Sequence, residues 1–146
     1  FNWKELFRKM SYHKKPSLTV DIFIFNDKKE FILIKRKNNP YKDCWAFPGG
    51  FVDYGETTED AAVREAKEET SIDVDLQNQF KVYSNPLRDP RGHTITVVYL
   101  AKGNMNDMKA DDDAKGIEIF SYEDLKDMNL AFDHKQILED IFNSLN

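Results

Sequence analysis

Between Gly49 and Ile72 the chain reads GGFVDYGETTEDAAVREAKEETSI, and its glutamates stand at spacings that can do chemistry. Glu65, Glu68 and Glu69 lie three and four residues apart. On a helix of 3.6 residues per turn, Glu69 sits about 40° to one side of Glu65 and Glu68 about 60° to the other, so all three share one face roughly 100° wide. Like charges so placed cost about 0.2–0.5 kcal/mol per pair in water, and the opposite-sign pairs Asp60–Arg64 and Arg64–Glu68 offset part of that. Such a cluster is either a solvated acidic face or a cation site. Mg²⁺ prefers oxygen ligands and is shared between one or two carboxylates and the phosphates of a substrate. A diphosphate is itself an anion, so it meets a glutamate face through a metal.

The elements that must position these residues can be read around them. Thr57 followed by Asp60 is a capping box, which starts the helix near Thr58. Its other face carries Ala62, Val63 and Ala66, small enough for close packing on a sheet. Ahead of it, LTVDIFIF (18–25) reads as a strand, turned by NDKK into a second strand, EFILIKR, as a hairpin. KNNPYKDCW reads as a loop. DLQNQFKVYS and HTITVVYLAKG are two more strands, separated by NPLRDPRG, and GIEIF is another. SYEDLKDM starts a helix with a Ser121–Asp124 capping box. The last helix, DHKQILEDIFNSL, has Ile137, Leu138, Ile141, Phe142 and Leu145 on one face and Asp133 as candidate N-cap. The first residues, FNWKELFRKM, place Trp3, Phe7 and Met10 at helical spacing. Strands, helix, strands, helices, joined by short connections, predict an α+β fold.

With 146 residues the chain suits one domain, 1–146, with residues 1–15 as an N-terminal helical extension. Apolar residues make up 40% and charged ones 32%. No apolar run is long enough to span a membrane and no signal-peptide core is visible, although a first residue Phe1 points to a trimmed start. The single cysteine, Cys44, rules out an intrachain disulfide and a cysteine zinc cage, and predicts a reducing, cytoplasmic location. A net charge of −5 argues against a general nucleic-acid binder. It leaves room for a small phosphorylated ligand held with metal.

Gly50 is followed after five residues by Glu56, after seven more by Arg64-Glu65, and then by Glu68-Glu69. Each residue type makes up on the order of 6% of an average protein, so six matches at fixed spacing arise by chance roughly once in 10⁷ tries. The stretch from Gly50 to Ile72 resembles the signature box of the Nudix hydrolases, and WAFPGG resembles its usual lead-in. Two positions depart from the box: Ala66 stands where a larger aliphatic is usual, and Ser71 where a glycine is. The second falls just past the helix end, where φ > 0 is common, and a serine there costs up to about 1 kcal/mol.

The resemblance implies an α/β/α sandwich around a mixed sheet. It implies metal-dependent attack of water on a nucleoside diphosphate linked to another group, with Mg²⁺, or Mn²⁺, as cofactor. By position in the box, Glu65 and Glu69 would be metal ligands, Glu68 a ligand or water-mediated partner, and the Gly49 carbonyl a backbone ligand. Glu68 and Glu69 are also the catalytic candidates within the box. Glu56 and Arg64 would be supports, with Arg64 paired to Glu56 or Glu68. A further acid is expected from ADDDAK, as Asp112 or Asp113. Glu118 is expected to point away, and His93 is a weaker candidate base.

Outside the box, YSNPLRDPRGHTITVVYLA and LAFDHKQIL resemble segments of ADP-ribose pyrophosphatases and of related regulators of NAD metabolism. Arg88 and Arg91 are guanidinium forks suited to phosphate or ribose oxygens. Tyr41 and Phe47 are candidates to stack an adenine. The implied reaction turns ADP-ribose and water into AMP and ribose 5-phosphate. Two alternatives are an (oxidised) nucleoside triphosphate pyrophosphohydrolase and a non-catalytic sensor of ADP-ribose or NAD metabolites. A regulator would be expected to carry a winged helix after its Nudix domain, whereas this sequence ends at Asn146 with all four box glutamates present. The expected partner is a small nucleotide, not nucleic acid or membrane. Relatives of this kind are often homodimers, and the apolar N-terminal segment is a candidate contact.

Overall fold

The computed structural model describes residues 2–12, 14–109 and 116–145. Its centre is β1 (Ser17–Ile24), whose near-continuous apolar run suits a strand covered on both faces. Both of its edges are occupied. β4 (Gly49–Phe51) pairs with it antiparallel, and β6 (Thr94–Lys102) pairs parallel, from Ser17↔Thr94 to Ile24↔Ala101. β5 (Asp75–Tyr83) lies antiparallel outside β6, which gives a four-stranded sheet in the order β4-β1-β6-β5. A second, three-stranded sheet runs β3-β2-β7, from β3 (Trp45–Ala46), β2 (Phe31–Lys35) and β7 (Gly116–Phe120).

This corrects the expected hairpin. β1 and β2 meet through one bridge, Phe25↔Phe31, because β4 and β6 already fill the edges of β1. β2 peels away after the Asn26–Glu30 turn and finds β3 and β7 instead. β3 and β4 were not expected as strands. They are two and three residues long, too short for a period to show.

Side chains alternate across β1. Val20, Ile22 and Ile24 face α2 (Thr58–Thr70), where Ala61, Ala62 and Ala66 let the helix lie close. Phe23 faces the other way, into a cluster with Phe31, Leu33, Val98 and Leu100 under α3 (His134–Leu145). Ile137, Leu138, Ile141 and Phe142 form the covered face of α3, each worth roughly 1.5–3 kcal/mol when fully buried. The sheets are thus flanked by helices, as the α/β/α expectation has it. α1 (Trp3–Tyr12) precedes β1. The SYEDLKDM segment is a 3₁₀ helix, Tyr122–Asp127, with the expected Ser121–Asp124 capping box. Among the described residues no helix is long and apolar enough to cross a membrane.

Candidate active site

α2 begins as the sequence indicates: the Thr57 side chain accepts a hydrogen bond from the Asp60 amide at 3.0 Å. Its inner edge lies against β4, and Gly50 makes that approach feasible: a Cβ there would stand 2.6 Å from Glu65 Oε1. A Cβ at Gly49 would instead meet the Val20 carbonyl and Asp21 on β1. With neither present, the Glu65 carboxylate rests on the strand backbone and the Gly49 amide donates to Glu69 Oε1 at 3.3 Å.

The three helix glutamates divide. Glu65 is 13% exposed and Glu68 55%, with Glu68 turned out toward Arg64. Glu69 faces the cleft. Burial, then repulsion from Glu65, push the Glu69 carboxyl up to about 9, and burial also raises Glu65. The pair therefore keeps a shared proton at neutral pH when nothing else neutralises it.

Arg64 holds the loop to the helix. Its Nε meets Glu56 Oε2 at 2.7 Å, its Nη1 meets Glu65 at 2.8 Å and Glu68 at 3.2 Å, and its Nη2 meets the Phe51 carbonyl at 3.0 Å. The Arg64 guanidinium holds the Glu56 carboxyl down at about 2, with help from the Asp53 amide.

The donor set suits a divalent cation that keeps much of its shell for water and phosphate. Two inward carboxylates repel in a half-buried place beside strand backbone. Among the described residues no group of three or more His, Cys, Asp or Glu converges as a closed metal cage. That arrangement fits a hard cation bound by one or two carboxylates together with substrate phosphates.

Glu69, Gly49 and Gly50 open onto a cleft of about 230 Å³ that Asp21, Arg36, Phe51, Arg88, Arg91, Phe132 and His134 also line. Three arginines reach it, in different states. Arg88 is buried and paired: Nε and Nη2 form a fork with Asp133 at 2.9 and 2.7 Å, and Nη1 donates to Thr94. This corrects the expected cap: the Asp133 carboxylate is spent on Arg88 rather than on capping α3. The Nε edge of Arg88 is taken, and the residue still lines the cleft. Arg91 lines the cleft but is forked to Asp89 at 3.1 and 2.8 Å.

Arg36, at the end of β2, was not singled out from sequence. Its Nε donates to the Pro40 carbonyl at 2.8 Å, and it forms no ion pair among the described residues. Burial, then the charge of Arg91, lower its pKa. A half-buried guanidinium that forms no ion pair among the described residues, in a cleft it shares with Glu69, is the signal that sequence could not supply.

Tyr41 packs on Phe132, with ring centroids 4.9 Å apart, and Arg36 lies over Phe132 at 4.9 Å. Tyr41 and Phe132 both hold left-handed backbone, φ 61° and 52°. Strain of that kind persists where the surroundings over-determine it and clusters at ligand clamps. Phe47, expected with Tyr41 to stack an adenine, is 2% exposed and packs edge-on to Phe23 and against His134. Asp21, also unforeseen, is buried at the cleft floor, accepting from Thr96 Oγ1 at 2.6 Å and lying 3.6 Å from His134. Glu118 is exposed on β7, and His93 binds the Ser84 carbonyl outside this cleft. Asp112 and Asp113 lie outside the described residues.

The model of the NUDIX domain matches residues 15–141. The chain belongs to the Nudix family. Nudix hydrolases in general need divalent cations. Within the Nudix proteins, the ADP-ribose pyrophosphatase of Methanocaldococcus jannaschii is 47% identical over 133 residues, covering 91% of this chain and 77% of its own. The ADPR responsive transcriptional repressor NtrR of Acinetobacter baylyi is 35% identical over 142 residues, 93% of this chain but 57% of its own length. Among solved structures, a bifunctional NMN adenylyltransferase/ADP ribose pyrophosphatase of Francisella tularensis, complexed with AMP and a manganese ion, superposes with a TM-score of 0.80 at 31% identity. This Nudix chain is covered to 98% and the Francisella chain to 45%.

Proposed function

We propose that this Nudix chain hydrolyses ADP-ribose to AMP and ribose 5-phosphate with Mg²⁺, and that Mn²⁺ can replace it. The observation that carries the reading is Glu69, backed by Glu65, in one cleft with Phe132 and with Arg36, which forms no ion pair among the described residues. The Methanocaldococcus relative supports the choice of substrate.

Glu65, Glu69 and the Gly49 carbonyl would hold the cation, with Glu68 reaching it through water. When bound, the cation supplies neutralisation of the diphosphate and acidifies a bound water. The chain's own residues do the rest. Arg36 contacts the diphosphate, and Arg91 adds charge at the rim. Tyr41 and Phe132 receive the adenine. Glu56 and Arg64 hold the loop against α2, so that Glu65 does not swing into solvent. Glu68, Asp112 and Asp113 are the candidates to take the proton from the attacking water.

The test is product analysis with ADP-ribose, an oxidised purine triphosphate and NADH in parallel. EDTA-sensitive release of AMP and ribose 5-phosphate from ADP-ribose is expected. Turnover of the triphosphate alone would overturn the substrate. Tight ADP-ribose binding without turnover would favour the sensor reading, which the Acinetobacter repressor motivates.

A further inference from the structure

We propose that the cleft continues into a second, basic cavity that binds a phosphate monoester carried on a ribose of the nucleotide substrate, with Lys14, Lys15 and Arg91 as its cations. This rests on the nucleotide reading of the main cleft and extends it to a more highly phosphorylated substrate class.

The cavity holds about 300 Å³ and is lined by Lys14, Lys15, Ser17, Phe51, Asp89, Arg91, Gly92, His93 and Thr94. Phe51, Asp89, Arg91 and Thr94 also line the main cleft, so the two spaces lie side by side. Lys14, Lys15 and Arg91 are set against a single carboxylate, Asp89, in a chain of net charge −5. That carboxylate is already taken: both its oxygens receive Arg91 hydrogen bonds, and Oδ1 also accepts the Arg91 amide at 2.9 Å. Lys14 and Lys15 form no ion pair among the described residues. Two units of positive charge are thus unspent at this one place.

The framework around them is fixed. The Ser17 amide donates to the His93 carbonyl at 3.0 Å, and Ser17 pairs with Thr94 at the start of the β1–β6 ladder. That brings the two lysines, just before β1, beside the loop that carries Arg91. Phe51 forms the apolar wall between the spaces. It is 49% exposed, with the Arg91 guanidinium 6.0 Å from its ring. An apolar face next to unspent cations suits a sugar that bears a phosphate. A phosphate monoester carries close to two negative charges at neutral pH and pairs with lysine as a point charge. The bond broken stays the diphosphate bond, with water added across it, so the extra phosphate leaves unchanged on the product that carries it.

The experiment compares ADP-ribose with its 2′- and 3′-phosphorylated forms on the adenosine ribose, using the full chain and Mg²⁺. The KM for one phosphorylated isomer should be roughly tenfold lower at similar kcat, since two or three exposed ion pairs each contribute modestly. Lys14→Ala/Lys15→Ala should erase that preference and leave ADP-ribose kinetics within about twofold. Raising salt should shrink it. Equal KM values in the wild type, or a preference that survives the double variant, would overturn the proposal. If no nucleotide is turned over, the proposed function fails. Calorimetric Kd values for the same compounds then decide this inference: a tenfold, lysine-dependent preference supports it, and equal or absent binding overturns it. Uptake of inorganic phosphate with equal nucleotide affinities marks a site for free anions and also overturns it.

Discussion

Glu65 and Glu69 are one helical turn apart and both turn inward, whereas Glu68, one residue from Glu69, sits with Arg64 in solvent. The difference is a rotation of 100° about the helix axis, which moves a side chain from the strand to the surface. Glu69→Gln removes a carboxylate but keeps an acceptor for the Gly49 amide. Turnover should fall roughly 10²-fold or more with the fold intact, as a lost metal ligand implies. Normal kcat in a variant with an unchanged melting curve would sink the ligand assignment. Gly50→Ala tests the same pair from the strand side. The added methyl meets the far end of Glu65, so the carboxylate must shift while the backbone stays. The expectation is a loss of at least about tenfold in kcat/KM, since an error of about 1 Å in placement can cost 10²-fold. Unchanged kcat/KM would mean that Glu65 need not rest on β4.

At the scale of elements, α2 ends on Ser71 with φ 66°, the left-handed geometry that the family's glycine suits. Ser71→Gly should therefore stabilise the protein by up to about 1 kcal/mol. The weak 3.3 Å bond from Ser71 Oγ to the Lys109 carbonyl offsets part of this. Urea unfolding measures the gain, and turnover should not change; a large activity gain would mean that this serine limits catalysis. Arg88 ties the β5–β6 loop to the start of α3 through Asp133. Arg88→Met leaves the half-buried Asp133 without its partner and should cost about 3 kcal/mol, the low end for a broken buried pair. A variant of wild-type stability with only a raised KM would return Arg88 to the ligand. The sequence shows an arginine between two prolines and no sign of its partner, because Asp133 is 45 residues away. The Thr57 cap, by contrast, was legible because both of its members lie within one helical turn.

Across the whole molecule, β1 carries polar and apolar duties on one face. Phe23 enters the core under α3, while Asp21, two residues earlier, joins His134, Arg88 and Thr96 below the cleft. His134 Nδ1 accepts from the Phe47 amide at 3.1 Å, so the ring is held as a neutral acceptor. Burial lowers its pKa from the usual 6.5. The unfolded chain then binds a proton near pH 6 that the fold refuses. This contribution to stability is present above about 6.5 and is lost as pH falls toward the folded value. Unfolding free energies at pH 7.5 and 5.5 should differ more for the wild type than for His134→Gln, with other titrating groups common to both. An identical pH slope in the two proteins would show that His134 takes up its proton in the fold as readily as in the unfolded chain.

The sequence by itself determined the family, the helix that carries the glutamates, its cap, and the partnership of Arg64 with Glu56 and Glu68. These rest on spacings of eight residues or fewer within one helix and its lead-in loop, where helix geometry alone decides which side chains meet. It also indicated helices flanking a mixed sheet, through the resemblance of the Nudix box. Tertiary structure decided which carboxylates face inward, that Arg88 and not Arg36 is tied to a carboxylate, and that Tyr41 meets Phe132 while Phe47 lies in the core. Each depends on residues brought together by the parallel β1–β6 pairing and by the approach of α3, across separations of up to 91 residues between Tyr41 and Phe132. Whether an arginine is free or spent is a property of its neighbours, and those neighbours are chosen by packing of the whole chain rather than by local spacing.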